Sequence, residues 1–282
     1  MAGAGNTPVA LVTGASAGIG LATARQLLAD GYTVYAAARR TERMAELERA
    51  GARLLALDVT DDGACAAALA QLSAEAGRLD VLVNNAGYGS YGAVEDVPLA
   101  EARYQFEVNL FGAARLVQLA LPLMRAQRRG RIVNVSSMGG KIYEPLGAWY
   151  HATKFALEGF SDSLRLELAP HGIDVVVIEP GGIKTEWGGI AREKLLAVSG
   201  HTAYAAQAQA HAAVLDDSRP GFSGSPPEVI ARTISAALKA RRPRTRYCAG
   251  AGAWELLLLR KWLSDRAFDW LLRTVFRLLG RR

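Results

Sequence analysis

Cysteine is almost absent: the 282 residues hold two, Cys65 and Cys248, far apart and without a metal-ligand pattern around either. This excludes a disulfide scaffold and a cysteine-based zinc site, and it fits a reducing compartment. Long apolar runs are absent as well. No stretch approaches the ~20 consecutive apolar residues that a membrane-crossing helix needs. The opening MAGAGNTPVALVTG has neither a basic start nor an apolar core ahead of its first strand-like run, so it does not read as a secretory leader. A cytoplasmic location is expected, and no metal.

Basic residues dominate in one region only. The formal net charge is +6, yet positions 239 to 282 hold twelve basic and three acidic residues, a local +9. The rest of the chain, with 21 basic and 24 acidic residues, is −3. No basic groove is spread over the main body, so nucleic acid is not an expected partner. Half the residues are hydrophobic and 21% are charged, and the length suits one large α/β domain.

What is present is an alternation. Short, nearly continuous apolar runs at 8–14, 33–38, 53–59, 79–87, 130–137, 173–180 and 245–250 read as strands buried on both faces. Helical patterns lie between them at 18–30, 41–50, 61–76, 99–128 and 149–169. Gly31, Gly51 and Gly77 stand just past three of these helices, where a left-handed residue stops the spiral cheaply. The segment from 181 to 224 has mixed character. Ser225-Pro226-Pro227-Glu228 then predicts another helix, with Ser225 as its cap and Glu228 as capping-box partner. The pattern predicts one doubly wound parallel sheet, a Rossmann-type α/β fold with helices on both faces, over residues 1–250. Residues 251–282 are expected to form a basic amphipathic helical tail.

The first predicted strand runs straight into TGASAGIG, which opens the first helix. Gly14, Gly18 and Gly20 have the spacing G-x-x-x-G-x-G. Such a turn lets backbone N–H groups approach a pyrophosphate at a helix N-terminus. The second predicted strand ends in AAARRTER, with no acid at position 38 to take the ribose hydroxyls of NAD. Arg39 and Arg40 instead suit the extra phosphate of NADP, so NADP(H) is expected in preference to NAD(H). On the helix at 149–169, Tyr150 and Lys154 lie one turn apart on one face. An ammonium there would stabilise a phenolate and lower the phenol's pKa from its ordinary value of about 10. Taken alone, the pair reads either as an acid–base device or as a solvated helix face.

Together these stretches resemble the short-chain dehydrogenase/reductase family, over roughly residues 8 to 250. TGASAGIG resembles its glycine motif, LDVT puts Asp58 and Val59 at its adenine contact, and NNAG at 84–87 resembles its motif after the fourth strand. Asn109 stands in VNLFG as the family's helix asparagine does. Ser137 precedes Tyr150 by thirteen, YHATK resembles the family's Tyr-x-x-x-Lys, and PGGIKT at 180–185 its Pro-Gly-x-x-x-Thr segment. NNAGYGSYG and YHATKFALEGFSDSLRLEL look closest to the steroid- and retinol-dehydrogenase-like branch.

The resemblance implies a catalytic tetrad of Asn109, Ser137, Tyr150 and Lys154. Ser137 would hold the substrate oxygen and Tyr150 would pass a proton to or from it. Lys154 would hold the nicotinamide ribose and depress the tyrosine pKa. Asn109, through its helix backbone, would position a water. Implied dinucleotide contacts are Gly14, Ser16, Gly18, Ile19, Gly20, Arg39, Arg40, Asp58, Val59, Asn85, Ala86, Gly87, Ile183 and Thr185, besides Tyr150 and Lys154. Pro180 and Gly181 would turn the chain under the nicotinamide. Ser136 is set aside because strand alternation points it opposite to Ser137. His151 is expected to face away from the Tyr150–Lys154 stripe.

The implied activity is NADP(H)-dependent hydride transfer between nicotinamide and a ketone/secondary alcohol pair. The alternatives are an NAD-dependent alcohol dehydrogenase of the same fold and a non-catalytic dinucleotide-binding regulatory protein, against which the intact tetrad argues. Family habit implies a homodimer or homotetramer paired through the helices at 113–128 and 149–169. Segments 88–94, 138–149 and 187–222 would cover the substrate. Their Tyr88, Tyr91, Met138, Tyr143, Trp149 and Trp187 suit a lipophilic steroid, retinoid, fatty acyl or aromatic ketone. In the tail, Arg266, Asp269, Arg273 and Arg277 share one helix face, while Leu263, Ala267, Trp270, Leu271, Val275 and Leu278 share another. A basic amphipathic helix with tryptophans suits peripheral contact with an anionic membrane; its apolar face would also serve for docking on the body or on a second subunit.

Overall fold

The computed structural model describes residues 7–216 and 224–279. The end of the expected covering segment, from 217 on, and the two ends of the chain lie outside the described residues. Seven strands form: β1 (Val9–Thr13), β2 (Thr33–Ala38), β3 (Arg53–Ala56), β4 (Val81–Asn84), β5 (Gly130–Val135), β6 (Ile173–Pro180) and β7 (Arg246–Ala249). They make one parallel sheet in the order β3-β2-β1-β4-β5-β6-β7. The α-helices are α1 (Gly18–Ala29), α2 (Ala45–Arg49), α3 (Asp62–Ala76), α4 (Leu99–Phe106), α5 (Gly112–Gln127), α6 (Ala148–Leu168), α7 (Glu186–Ser199), α8 (Ala205–Ala212), α9 (Glu228–Lys239), α10 (Ala253–Trp262) and α11 (Asp265–Leu279). The sheet is the doubly wound Rossmann-type arrangement that the alternation predicts.

Strand alternation divides the core. Val9 and Leu11 face one side of the sheet, where Leu69 and Leu72 of α3, Leu116 and Met124 of α5, and Leu164 and Leu168 of α6 cover them. Ala10 and Val12 face the other side, under Leu27 of α1 and Ile230, Ile234 and Leu238 of α9. Burying each of these large side chains stabilises by about 1.5–3 kcal/mol. The two helix layers therefore exchange sides between β1 and β4, and the strand order reverses there.

Several element ends differ from the sequence expectation. The strands predicted to reach 59 and 87 stop at Ala56 and Asn84. Asp58 turns back to accept from Thr60 N at 3.0 Å and Thr60 Oγ1 at 2.8 Å, and Asn85 sends its amide to Thr13 O at 2.9 Å. These side chains offer the backbone an alternative to the ladder. The helix predicted over 99–128 is α4, a π-helical turn at Glu107–Phe111, and α5. Ser225 does not cap α9, whose first residue is Glu228. It pairs instead with the chain after β6, donating from N to Gly182 O and accepting from Lys184 N, both at 2.9 Å. The stretch of mixed character contains α7 and α8, with Thr185 Oγ1 accepting from Trp187 N at 3.3 Å to cap α7.

The short edge strand β7 is held to α6 by Arg246. Its Nε donates to Glu158 Oε2 at 2.9 Å and its Nη2 to Asp162 Oδ2 at 2.7 Å, with Glu179 Oε1 at 3.5 Å. Hydrogen bonding to Arg246 holds the Asp162 carboxyl down at about 2, against the opposing effect of burial. Burial and the charge of Glu158 push Glu179 up to about 7. Arg246→Met leaves two buried carboxylates facing each other with only Lys141, 3.3 Å from Glu158, beside them. Urea unfolding at pH 7 should show a loss of about 3 kcal/mol, the lower end for breaking a buried pair. A depressed carboxyl stabilises above its unfolded value of 3.8 and stops doing so as pH falls toward 2, so the gap between wild type and variant should narrow over that window. A gap that stays constant there removes Asp162 from the clamp.

Candidate active site

The helices that follow β1 and β4 leave on opposite faces of the sheet, so a crevice opens between the two strand ends. Buried Thr13 builds its near wall: Thr13 Oγ1 accepts from Asn85 N and Ala86 N, both at 3.0 Å. The glycine turn lies against this wall. Gly14 has φ +66, and a Cβ there would come within 2.9 Å of Asn85 Nδ2; on Gly20 it would meet Gly14 O at 2.2 Å. The turn is thus close-packed on its inner side, while Gly14, Ser16, Gly18 and Ile19 line a cavity of about 550 Å³ on the other. No side chain caps α1, and its first turn holds no acid, so its free N–H groups suit an anion. Gly20 itself lies beneath the turn and not on the cavity surface. A dinucleotide fits this cradle on these grounds.

Arg39 and Arg40 stand at the far end of the same cavity, with Asp58 and Val59. Arg39 is exposed, with Nη1 3.3 Å from Tyr104 Oη and 3.8 Å from Asp58 Oδ2. Arg40 lies 3.5 Å from Glu186 of α7, which Arg43 also reaches at 2.9 Å. Sequence reasoning passed over Arg43; the third basic residue of RRTER was the available signal. Asn85, Ala86 and Gly87 line the middle of the cavity, as do Pro180, Gly181, Ile183 and Thr185.

At the cavity floor, Tyr150 and Lys154 project from α6 and Ser137 from the end of β5. Ser137 Oγ accepts from Gly139 N at 3.0 Å, leaving its proton to donate, and it lines the cavity together with Tyr150. Burial pushes Tyr150 up to about 12, the Ser137 contact opposes this, and the charge of Glu144 adds to it. Lys154 is held down at about 8 by burial, with Glu158 opposing, and its Nζ donates to Val135 O at 3.0 Å. The expected lowering of the tyrosine pKa by Lys154 is therefore not what the protein alone displays. The ammonium is engaged by a backbone carbonyl and desolvation dominates both groups. Asn109 sits in the π-helical turn, with Nδ2 donating to Tyr88 O at 2.9 Å and Thr153 Oγ1 at 3.0 Å, and Oδ1 accepting from Tyr88 N at 3.0 Å. Ser136, set aside in the sequence, also lines the cavity; its N donates to Ile178 O at 2.8 Å, and among the described residues its buried Oγ, against Gly140, has no hydrogen-bond partner.

The walls differ in part from expectation. Tyr88, Tyr91, Met138 and Trp187 line the cavity, and the Trp187 and Tyr91 rings lie 5.1 and 5.6 Å from that of Tyr150. Trp149 does not line it; one residue before Tyr150 on the helix, it points to a separate surface hollow with Phe106 and Phe111. Tyr143 is turned away as well, its Oη donating to Asp269 Oδ1 at 2.9 Å and its ring meeting Phe268. His151 does not face away: it is buried, edge-on to Tyr150 at 5.6 Å, and lines the cavity. Selecting aromatics from the covering segments passed over Ile142 and Glu144, which also line it. An acid beside a proline in the apolar stretch IYEPLG was the signal for the latter.

The tail closes over this end. Phe268 and Leu272 of α11 are buried with Ile142, and Phe276 stacks on His211 of α8 with ring centres 4.8 Å apart. Leu263 and Leu271 join that cluster, but Trp270, Val275 and Leu278 face outward, so the docked stripe is not the one expected.

A family model described as short chain dehydrogenase matches residues 8–195. The chain is 42% identical over 179 residues to a probable short-chain type dehydrogenase/reductase VdlC of Helicobacter pylori, covering 64% of this chain and 66% of that protein. It is 36% identical over 275 residues to an NADPH-dependent 3-dehydrocapnine reductase of Ornithobacterium rhinotracheale, covering 92% and 94%. A solved short-chain dehydrogenase from Streptomyces avermitilis aligns with a TM-score of 0.80 at 35% identity, over 96% of this chain and 98% of that one. These likenesses carry the family and not its steroid- and retinol-dehydrogenase-like branch. They agree with the crevice and with the cavity that Ser137 and Tyr150 share, and the chain belongs to the short-chain dehydrogenase/reductase family of oxidoreductases.

Proposed function

We propose that the protein is an NADP(H)-dependent oxidoreductase acting on the CH–OH group of a lipophilic secondary alcohol or on the matching ketone, of the steroid, retinoid, acyl or aryl class. The observation that carries this reading is that Ser137, Tyr150 and Lys154 line one cavity that runs on to the glycine turn. When bound, the dinucleotide supplies or accepts the hydride. The chain supplies the rest. The free N–H groups at the start of α1 receive the pyrophosphate, and Arg39 and Arg40 receive the adenosine-side phosphate. Ser137 donates to the substrate oxygen as charge develops there, and Tyr150 delivers the proton during reduction. Lys154 holds positive charge beneath the site, and Asn109 fixes the π-helical turn against Tyr88 and Thr153. The name of the Ornithobacterium relative, an NADPH-dependent reductase, supports both the cofactor and the reducing direction. All of these residues fall in a catalytic domain over 1–250, with 251–282 as an appended tail.

Two surfaces carry further readings. Phe111, at the end of the π-helical turn before α5, and Phe155 and Leu166 of α6 are exposed, and we assign this face to a second copy of the chain in a dimer or tetramer. On the tail, Trp254, Trp262 and Trp270 are 68%, 76% and 69% exposed beside Lys261, Arg266, Arg273 and Arg277. Amphipathic tryptophan and positive charge suit an anionic lipid surface, and we assign the outward face of α10 and α11 to peripheral membrane contact.

Tyr150→Phe should lower NADPH oxidation with a lipophilic ketone by about 10²–10⁴-fold. For the wild type, kcat/KM for reduction should fall as pH rises through about 8, where Lys154 loses its proton, while Tyr150, with its pKa pushed up to about 12, stays protonated. Lys154→Met should lack that limb; a limb that survives the substitution belongs to another group. Arg39→Asp should shift the NADPH/NADH ratio of kcat/KM by about ten- to a hundredfold toward NADH. An unchanged ratio would take Arg39 out of cofactor choice. Full-length protein should sediment with phosphatidylserine vesicles at low salt, and a Trp254/Trp262/Trp270→Ala variant should stay in the supernatant. Light scattering should return an oligomer that Phe155→Glu with Leu166→Glu splits; a monomeric wild type, or no lipid binding, ends the corresponding assignment.

A further inference from the structure

The helix that carries Tyr150 continues past it in a stripe of ionisable residues. Tyr150, Lys154, Glu158 and Asp162 follow one another on α6 at four-residue intervals, each one turn from the next on one face. The first three are buried. Tyr150 and Lys154 line the cavity, and Glu158 lies behind them, outside its lining. A carboxylate taken out of water on an active-site helix is costly unless other charges compensate it.

Glu158 is where this stripe meets the edge of the sheet. Its Oε2 accepts from Arg246 Nε of β7 at 2.9 Å and lies 3.3 Å from Lys141 Nζ, in the loop after β5. Its Oε1 is buried and has no hydrogen-bond partner among the described residues. Gly140 fixes the side chain's place. A Cβ there would stand 2.8 Å from Glu158 Cγ and 3.1 Å from Lys154 O, so only a bare backbone packs against this turn of α6. Pinning β7 to α6 does not by itself require Glu158, because Asp162 takes Arg246 Nη2 at 2.7 Å. What Glu158 alone adds is a negative charge one turn from Lys154. The ammonium of Lys154 donates to Val135 O, a neutral carbonyl, so its hydrogen bond brings no countercharge. Between buried groups a charge one helix turn away still counts, since water screens it poorly.

We infer that Glu158 is a positioning residue for the reaction: held by Arg246 and Lys141 one turn from Lys154, it supplies the countercharge that keeps the Lys154 ammonium at the cavity floor. The inference rests on the hydride-transfer reading above. It ties the β7 edge of the sheet to catalysis through a residue that touches neither substrate nor dinucleotide. The groups facing this carboxylate are Lys154 and Asp162 on α6, Arg246 on β7, Glu179 on β6 and Lys141. Burial holds Lys154 down at about 8, and the charge of Glu158 opposes that fall. Removing the charge therefore lets Lys154 give up its proton at a lower pH.

Two measurements test this on the full-length protein. The first is the midpoint of the alkaline limb of kcat/KM for NADPH oxidation with methyl octyl ketone. Glu158→Gln, which keeps the shape of the side chain, should move that midpoint down by about one pH unit. A residue that serves the fold alone would lower the rate at every pH and leave the midpoint in place; that result overturns the inference. Lys141→Met, at a partly exposed position, takes a cation from the same carboxylate and should move the midpoint up. A midpoint that stays or falls there overturns the inference as well. The second measurement is acetylation of Lys154 by trace acetic anhydride, followed across pH by mass spectrometry in the absence of dinucleotide. Its midpoint should be lower in Glu158→Gln than in the wild type. If the wild type oxidises no NADPH, the hydride-transfer reading fails, and the acetylation midpoint alone decides this one: equal midpoints in the two proteins overturn it.

Discussion

Where β1 and β4 end, the sheet stops hydrogen-bonding to itself, and two side chains take over. Thr13 Oγ1 holds the N–H groups of Asn85 and Ala86, and the Asn85 amide returns a bond to the Thr13 carbonyl. Because these groups are spent on one another, the loop after β4 is held against the inner side of the glycine turn and leaves the outer side clear. The uncapped start of α1 then faces a crevice and not a neighbouring loop. Everything along the cavity takes its position from that parting of two strands, including the α6 residues at its floor. A side chain at position 14 or 20 would push into Asn85 or into the turn itself and close the gap from within.

Dryness sets the protonation states around the cavity. Tyr150 and Glu144 are pushed up, and Lys154 and His211 are pushed down, all toward their neutral forms. Desolvation outweighs the pairwise charges in each case. Apart from the Lys154 ammonium, which at about 8 still holds its proton at neutral pH, a site built this way carries little charge of its own. The contrast with the Arg246 clamp is instructive. There three carboxylates converge on one guanidinium, and Asp162, at its exposed edge, stays far below its ordinary value.

The sheet and its helices were legible because each strand is a nearly continuous apolar run closed by a turn residue, a pattern that parallel strands covered on both sides require. The glycine turn and the Tyr150–Lys154 pair were legible from short local spacings, Ser137 only through the resemblance to the family, and the sheet brings them to one cavity. Trp149, Tyr143 and His151 were not. Helix rotation decides whether a residue next to Tyr150 faces the cavity, and Tyr143 is claimed by Asp269, 126 positions further along. Ser225 failed for a similar reason, since a Ser-x-x-Glu pattern says nothing of the strand-like bridge to Ile183 that takes its backbone. The pKa of Tyr150 could not be read either, because burial is a property of the whole fold and no residue interval encodes it.

The packing of Phe268 and Leu272 on Ile142, which lines the cavity, puts α11 behind one of its walls. Helix α11 backs one wall of the cavity from a place remote in sequence from Ser137, Tyr150 and Lys154. Exchanging that segment between relatives would remodel the chamber while leaving Ser137, Tyr150 and Lys154 untouched.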